Sequence, residues 1–397
     1  MLAAMDPVRN PYAPGAGSRP PALTGRDEHI EAWRVLLQRL ELGRHDKSLI
    51  VTGLRGVGKT VLLNTLEAIA EDAGFRTAGT EITHDTDLRR LMARLARRGL
   101  LSISPVERMK DRARRAAGVL KAFTLQIPDV VTVGVDVEPA TGLGDSGDLG
   151  EDLGDVLTSL AAAAQDHRTG VVFLFDEIQF LDRKQFEALI AALHRVAQKN
   201  LPLTMVGAGL PQLPALAGTA KSYAERLFDF PRLGPLDEHA AREALERPAR
   251  EEEVTFEPAA IDAILDFTQC FPYFLQEFGK HAWNLAPGPA ITLEVVEQAR
   301  PQVSFQLDEN FFRVRIGRLT GAELRYAAAM AELGAGPVRS GAIAARLGRA
   351  GPESVAPTRA RLIAKGIIFS PAHGLNSFTV PQFDDFLRRN YPLAALR

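Results

Sequence analysis

Eight residues constrain this chain more than any others: Gly53-Leu54-Arg55-Gly56-Val57-Gly58-Lys59-Thr60. They follow the short apolar run Ser48-Leu49-Ile50-Val51-Thr52 and open an amphipathic segment that reaches about Ala73. Glycines at these positions let the backbone turn with its N–H groups inward, an arrangement that an anion satisfies. A helix starting at Lys59 brings the positive end of its dipole to the same place. The pattern is that of a phosphate-binding loop, with Lys59 neutralising the β and γ oxygens of a nucleotide and the Thr60 hydroxyl ligating magnesium. An ordinary glycine turn also fits the spacing, but strand before and helix after is the context that phosphate binding requires. The expected nucleotide contacts are Gly53, Leu54, Arg55, Gly56, Val57, Gly58, Lys59, Thr60 and Val61.

The second half of such a site is an acid at the end of another buried strand. Val171-Val172-Phe173-Leu174-Phe175 is a continuous apolar run, as in a strand covered on both faces of a parallel sheet, and Asp176-Glu177 follows it directly. Asp176 is expected to hold magnesium through a water, and Glu177 to orient and polarise the water that attacks the γ-phosphate. That second acid argues against a small-molecule kinase. Further strands are expected at about 76–82, 203–206 and 227–230, so the first part of the chain reads as an α/β domain with a mostly parallel five-stranded sheet.

Around this centre the pattern changes several times. Residues up to about 24 are rich in Pro and Gly and read as an extended arm. Ile30, Trp33, Leu36, Leu37 and Leu40 keep nearly a 3.6-residue period, and 88–121 is a very basic helical stretch. Loose alternation between Phe123 and Val137 predicts an inserted hairpin. The loop 142–150, with Asp145 and Asp148, reads as a solvated linker rather than a cation site. After Leu236 the strand pattern stops, and 237–249, 257–269, 272–286 and 291–303 read as helices of a small lid. Helices over 322–333, 340–347 and 354–364, then Ile367–Ser370, a turn at Pro371–Gly374 and 375–380, give three helices plus a hairpin, the winged-helix pattern. The divisions expected are 1–235, 236–304 and 305–397.

Composition sets limits on function. The chain has 397 residues, 47 Lys plus Arg against 49 Asp plus Glu, and one cysteine. Cys270 can neither pair within the chain nor build a thiolate metal site, and reads as a small buried apolar residue suited to a reducing cytoplasm. No apolar run is long enough to span a bilayer. The near-neutral total conceals a local bias, since from Gly321 onward there are ten Lys and Arg against five Asp and Glu. In the third helix of that segment Ser354, Thr358, Arg361 and Lys365 fall on one face, as a recognition helix in the major groove of double-stranded DNA requires. Arg339 flanks the helices, and His373 sits at the wing tip within reach of phosphate or the minor groove. A solvated basic face is the alternative reading for all six. The same pair of readings applies to Arg89, Arg90, Arg94, Arg97 and Arg98.

The order Gly25-Arg26-Asp27, phosphate loop, Asp176-Glu177-Ile178-Gln179, Gly207-Ala208-Gly209-Leu210-Pro211, Ser222-Tyr223-Ala224-Glu225-Arg226, lid and winged helix resembles bacterial AAA+ ATP-binding proteins related to replication-initiator ATPases. The resemblance implies ATP and Mg2+ as ligands and an adenine pocket involving Gly25 and Arg26. It also implies that Arg226 acts as a finger on a neighbour's γ-phosphate in a homo-oligomer. An intramolecular salt bridge is the other reading of Arg226. Two departures stand out. The end of the fourth strand lacks the polar sensor 1 residue, with only Thr204 and Gln212 near. In place of the sensor 2 arginine stands Cys270-Phe271-Pro272, similar to the G-x-P segment of signal-transduction (STAND) ATPases with Cys for Gly. The expected function is a slowly hydrolysing ATP switch that binds double-stranded DNA through its winged helix. The alternative is a STAND-like regulator whose winged helix makes protein or intramolecular contacts.

Overall fold

The computed structural model describes residues 5–15, 17, 20–104, 109–127 and 137–396. Its centre is a parallel sheet of β1 (Ser48–Gly53), β2 (Arg76–Glu81), β3 (Val171–Asp176), β4 (Leu203–Gly209) and β5 (Phe228–Asp229) in the order β2-β3-β4-β1-β5. The edge strand breaks at Pro231, which has no N–H to give, and resumes as β6 (Arg232–Leu233) along the same side of β1. β1 and β4 are buried along their whole length, and β3 up to Phe175. This burial is why these strands read as unbroken apolar runs. Two hydroxyls in this interior, Ser48 and Thr204, satisfy each other at 3.0 Å. The register pairs Thr52 with Gly209 and Phe175 with Gly207, which brings the carboxyl ends of β1 and β3 level on either side of β4.

The two faces of the sheet bury separate cores. One core packs helices Leu88–Ile103, Asp111–Leu125 and Leu149–Asp166 on Phe173, Phe175 and Met205. The basic stretch is thus two helices, and Arg89 spends its charge inward on the fully buried Asp152. The expected hairpin is corrected in part: Phe123–Leu125 end a helix, and 128–136 lie outside the described residues. Asp148 caps helix Leu149–Asp166 by accepting from the Glu151 N–H at 2.9 Å, and Asp145 accepts from the Gly142 N–H.

The other core is continuous from the sheet through the lid into the C-terminal segment. Trp33 of helix Asp27–Glu41 is fully buried and donates its indole N–H to the Leu66 carbonyl at 2.8 Å, tying that helix to Lys59–Asp72. The lid holds helices Glu238–Glu251, Pro258–Thr268, Pro272–Leu285 and Leu293–Gln306. It also holds a parallel strand pair, Thr255–Phe256 with Ala290–Ile291, that two residues per strand were too short to announce. The N-terminal arm lies across this lid. Tyr12 is buried, donates its hydroxyl to the Leu245 carbonyl, and sits where a side chain on Gly279 would be.

The C-terminal segment has helices Gly321–Glu332, Ser340–Arg346 and Pro352–Ala364. A three-stranded antiparallel sheet follows, with Leu375–Phe378 between Ile368–Phe369 and Val338–Arg339, and then helix Phe383–Asn390. Its centre is Glu323, whose side chain is fully buried and accepts from Lys365 at 2.6 Å and Arg361 at 3.2 Å while closing a capping box with Thr320. Burial pushes the Glu323 carboxyl up, but the Lys365 ammonium and the Thr320 groups together hold it below the usual carboxylate value. A depressed carboxylate stabilises the fold above its unfolded pKa, and that contribution is lost as pH falls through the folded value. Glu323→Gln is therefore expected to destabilise the protein by about 3 kcal/mol at neutral pH. Thermal unfolding between about pH 7 and pH 3 should show the gap between variant and parent closing below about pH 4.

Candidate nucleotide site

The loop 53–60 leaves β1 and turns into helix Lys59–Asp72 through Gly56 at φ 85° and Gly58 at φ 89°, values that a side chain would strain. Lys59 follows the second turn and is buried, donating to the carbonyls of Gly53 at 3.1 Å and Leu54 at 2.9 Å. Burial lowers its pKa to about 8, against the charges of Glu177 and Asp176 and with the help of Arg55. The Thr60 hydroxyl donates to Asp176 at 2.6 Å, so the two side chains expected at a metal ion do meet. Among the described residues no cage of three or more His, Cys, Asp or Glu side chains forms. A hydroxyl and one carboxylate are hard oxygen donors that suit Mg2+, an ion usually completed by water and substrate phosphate.

Glu177 adopts φ 51°, in the left-handed region that disfavours a side chain, and its N–H donates to Asp176 Oδ1 at 2.8 Å. Both of its carboxylate oxygens are engaged. Oε1 accepts from Arg55 at 3.3 Å, and Oε2 accepts from the Gln179 amide. Gln179 in turn accepts from the Leu210 N–H at 3.1 Å, and it fills the space beside Gly209 where a side chain would clash. The polar contact at the end of β4 therefore comes from the 3-10 turn Ile178–Phe180 that follows β3. Thr204 is sealed inside the sheet, and Gln212 does not line the cavity. Only the small residues at 207 and 209 hinted at this arrangement.

Arg26 is buried and donates to the carbonyls of Val57 at 3.2 Å and Gly234 at 3.0 Å, pinning the loop to the start of the lid. Burial lowers its pKa against the pull of Asp237. On the lid side Cys270 has φ 57°, the conformation a glycine would take there, and is half-buried. Burial, then Glu238 and Asp237, push its thiol up. Three residues on, the Tyr273 N–H donates to the Gly56 carbonyl at 3.3 Å. Its ring stacks on Phe311 at 4.8 Å, and both rings cover Gly56.

These parts enclose a cavity of about 520 Å³ lined by the arm, the loop, the lid and the C-terminal segment, a size typical of small-molecule sites. Among the described residues its lining carries six cations, Arg26, Arg55, Lys59, Arg315, Arg318 and Lys365, against one carboxylate, Glu177. The sequence reading missed Arg315 and Arg318. They lie on or just beyond a π-helical stretch, Leu307–Arg313, that continues the last lid helix into Val314–Ile316. Arg315 lies over the Phe311 ring at 4.3 Å, and burial followed by repulsion from Arg55 and Arg318 brings its pKa down to about 10.

The residues expected at DNA divide. Lys365 lines the cavity and Arg361 is held by Glu323. Thr358 accepts from Arg361 and is half-buried, and Ser354 is exposed but donates to the Gly351 carbonyl. Arg339 and His373 are exposed on neighbouring turns, since the Ser340 N–H donates to the Gly374 carbonyl. Arg226 is exposed on the short helix Ala224–Leu227 and does not line the cavity.

The AAA ATPase domain family matches residues 22–206, and a domain family of unknown function matches residues 309–387. No curated protein matches. Among solved structures, a Walker-type ATPase of Pyrococcus abyssi shares the fold at 16% identity and a TM-score of 0.55, over 92% of this chain and 96% of its own. Orc1 of Aeropyrum pernix, solved in complex with DNA, aligns over 98% of both chains at 17% identity and a TM-score of 0.47. RuvB of Thermotoga maritima, a Holliday junction branch migration motor, aligns over 95% of this chain and 100% of its own at 17% identity and 0.47.

Phosphate contact restores the charge of Lys59, so nucleotide binding should take up a proton where the free lysine is partly neutral. Calorimetry in buffers of different ionisation heat is expected to show uptake near pH 8 that vanishes by about pH 6. Lys59→Ala should abolish ATP binding altogether.

Proposed function

Because residues 22–206 are an AAA ATPase domain, we propose that this chain is an ATP-binding, slowly hydrolysing switch whose C-terminal module, a winged helix, rests on its own nucleotide site. The observation that carries the reading is the hydrogen bond from the Arg55 N–H, inside the phosphate loop, to the Thr379 carbonyl at 2.9 Å. Lys365, Gly366 and Ile367 of the module line the same cavity. This arrangement favours the STAND-like alternative, in which the module makes intramolecular contacts.

In this reading the nucleotide phosphates follow 53–60, with Lys59 on the β and γ oxygens. Thr60 and Asp176 would hold Mg2+, which would supply charge neutralisation for the transferred phosphoryl group. Glu177 accepts a proton from the attacking water as its oxygen bonds to the γ-phosphorus and the bond to the bridging oxygen breaks. With both oxygens of Glu177 occupied, turnover is slow. Arg226, being exposed, is available to a neighbouring protomer, where it would act in trans.

Double-stranded DNA is the second reading, favoured by exposed Arg339, Arg349, Ser354 and His373 on the same module. Arg361 and Lys365 join it only by leaving Glu323 of the same module, and Lys365 must also leave the nucleotide cavity it lines. Glu177→Gln should keep ATP binding and lower turnover by about a hundredfold or more. ATP turnover at tens per second by the parent protein would refute slow hydrolysis. Duplex affinity measured with ATP should fall steeply between about 50 and 200 mM salt if the second reading holds, and absence of binding at low salt removes it.

A further inference from the structure

Arg55 occupies a variable position of the phosphate loop, where the backbone matters and the side chain is free to vary. Here that side chain joins two parts of the molecule that sequence does not connect. Its main-chain N–H donates to Thr379 of the C-terminal module at 2.9 Å. Its guanidinium donates to Glu177 Oε1 at 3.3 Å, with both side chains about three-quarters or more buried, at 26% and 16% exposure. The same guanidinium lies against Gly366, where a Cβ would come within 2.9 Å of Nη2. Gly366 has φ 64°, and its carbonyl accepts from the Thr379 hydroxyl. The turn that receives Arg55 thus favours glycine for its backbone conformation, and any side chain there would have to displace the Arg55 fork. Arg315, a buried like charge lining the same cavity, repels Arg55.

We infer that Arg55 is a positioning residue that holds the Glu177 carboxylate in place only while the C-terminal module is docked. Release of the module and freeing of the hydrolytic carboxylate are then one event. The logic is geometric. The backbone of Arg55 is fixed by the loop and by Thr379, and its fork lies against Gly366 on the way to the Glu177 oxygen at 3.3 Å. When the module leaves, Thr379 and Gly366 leave with it, and Arg55 regains the freedom that a long side chain loses on burial. Glu177 then keeps only its neutral partner Gln179. The inference rests on the proposed ATPase reading for what Glu177 does, but the contact itself is independent of that reading.

The test uses the full-length protein and the variants Arg55→Ala and Arg55→Lys. For Arg55→Ala, kcat for ATP is expected to rise about fivefold, the effect of a partly buried ion pair of about 1 kcal/mol, with KM changed less than about twofold. Without nucleotide, amide hydrogen exchange at 366–379 should accelerate about tenfold relative to the parent protein, while the lid helix 272–285 stays protected. Arg55→Lys, which keeps the charge but not the planar fork, should fall between the two. A fall in kcat, a rise in KM with kcat unchanged, or unchanged exchange at 366–379 overturns the inference. The first two results would make Arg55 a phosphate ligand instead. If the parent protein shows no ATP turnover above its Lys59→Ala variant, the ATPase reading fails, and the exchange measurement alone still decides whether Arg55 anchors the module.

Discussion

A lysine ammonium taken out of water is the constraint on which this architecture turns. Lys59 is buried by the tight passage from β1 into its helix, and its hydrogen bonds run to the neutral carbonyls of Gly53 and Leu54. Burial alone would drive such a group to give up its proton. The charge is retained to about pH 8 because Glu177 and Asp176 stand near, and they stand there because β3 ends level with β1 across β4. The strand order, the small residues that end β4 and the strained φ of Glu177 all follow from bringing two acids to one buried base.

That part of the molecule was legible because its signals are local. A glycine loop between an apolar strand and an amphipathic helix is a contiguous pattern. Asp176 and Glu177 sit at the end of a run that only a doubly covered strand would carry. The G-x-P comparison was equally informative, since Cys270 adopts the left-handed backbone that the substituted glycine would supply. Gln179 was within the quoted motif but had no role there. Its position depends on reaching Leu210, just past the end of β4, a contact that no spacing rule reveals.

The C-terminal module shows the limit more sharply. Helical periodicity places Ser354, Thr358, Arg361 and Lys365 on one face, and a basic face is what a DNA groove selects. Periodicity does not say what that face meets. Glu323, distant in sequence and fully buried, takes both cations of that face. An acid at the third position of a helix reads as half of a capping box, which it also is, so the sequence offered a sufficient explanation that concealed the second one. Arg315 and Arg318 were missed for a related reason: they follow a helix whose period slips through a π-helical stretch, so their side does not extrapolate from the residues before them.

The charge of the cavity gives the docked arrangement its direction. Six cations face one carboxylate, and they belong to different bodies: Arg26, Arg55 and Lys59 to the ATPase domain, Arg315, Arg318 and Lys365 to the linker and module. A polyphosphate touching both sets favours the docked form, by an amount set by its concentration and affinity. The same ligand can favour release only through interactions that differ between the two forms. The Arg55–Glu177 pair is such a difference, because it lies where a terminal phosphate and its attacking water must be accommodated. On the proposed reading, diphosphate contacts near Lys59 leave the pair intact and add to docking, whereas hydrolysis of a γ-phosphate needs Glu177 free of Arg55. On that reading, the balance between those two demands, rather than nucleotide affinity as such, would decide which way the module moves.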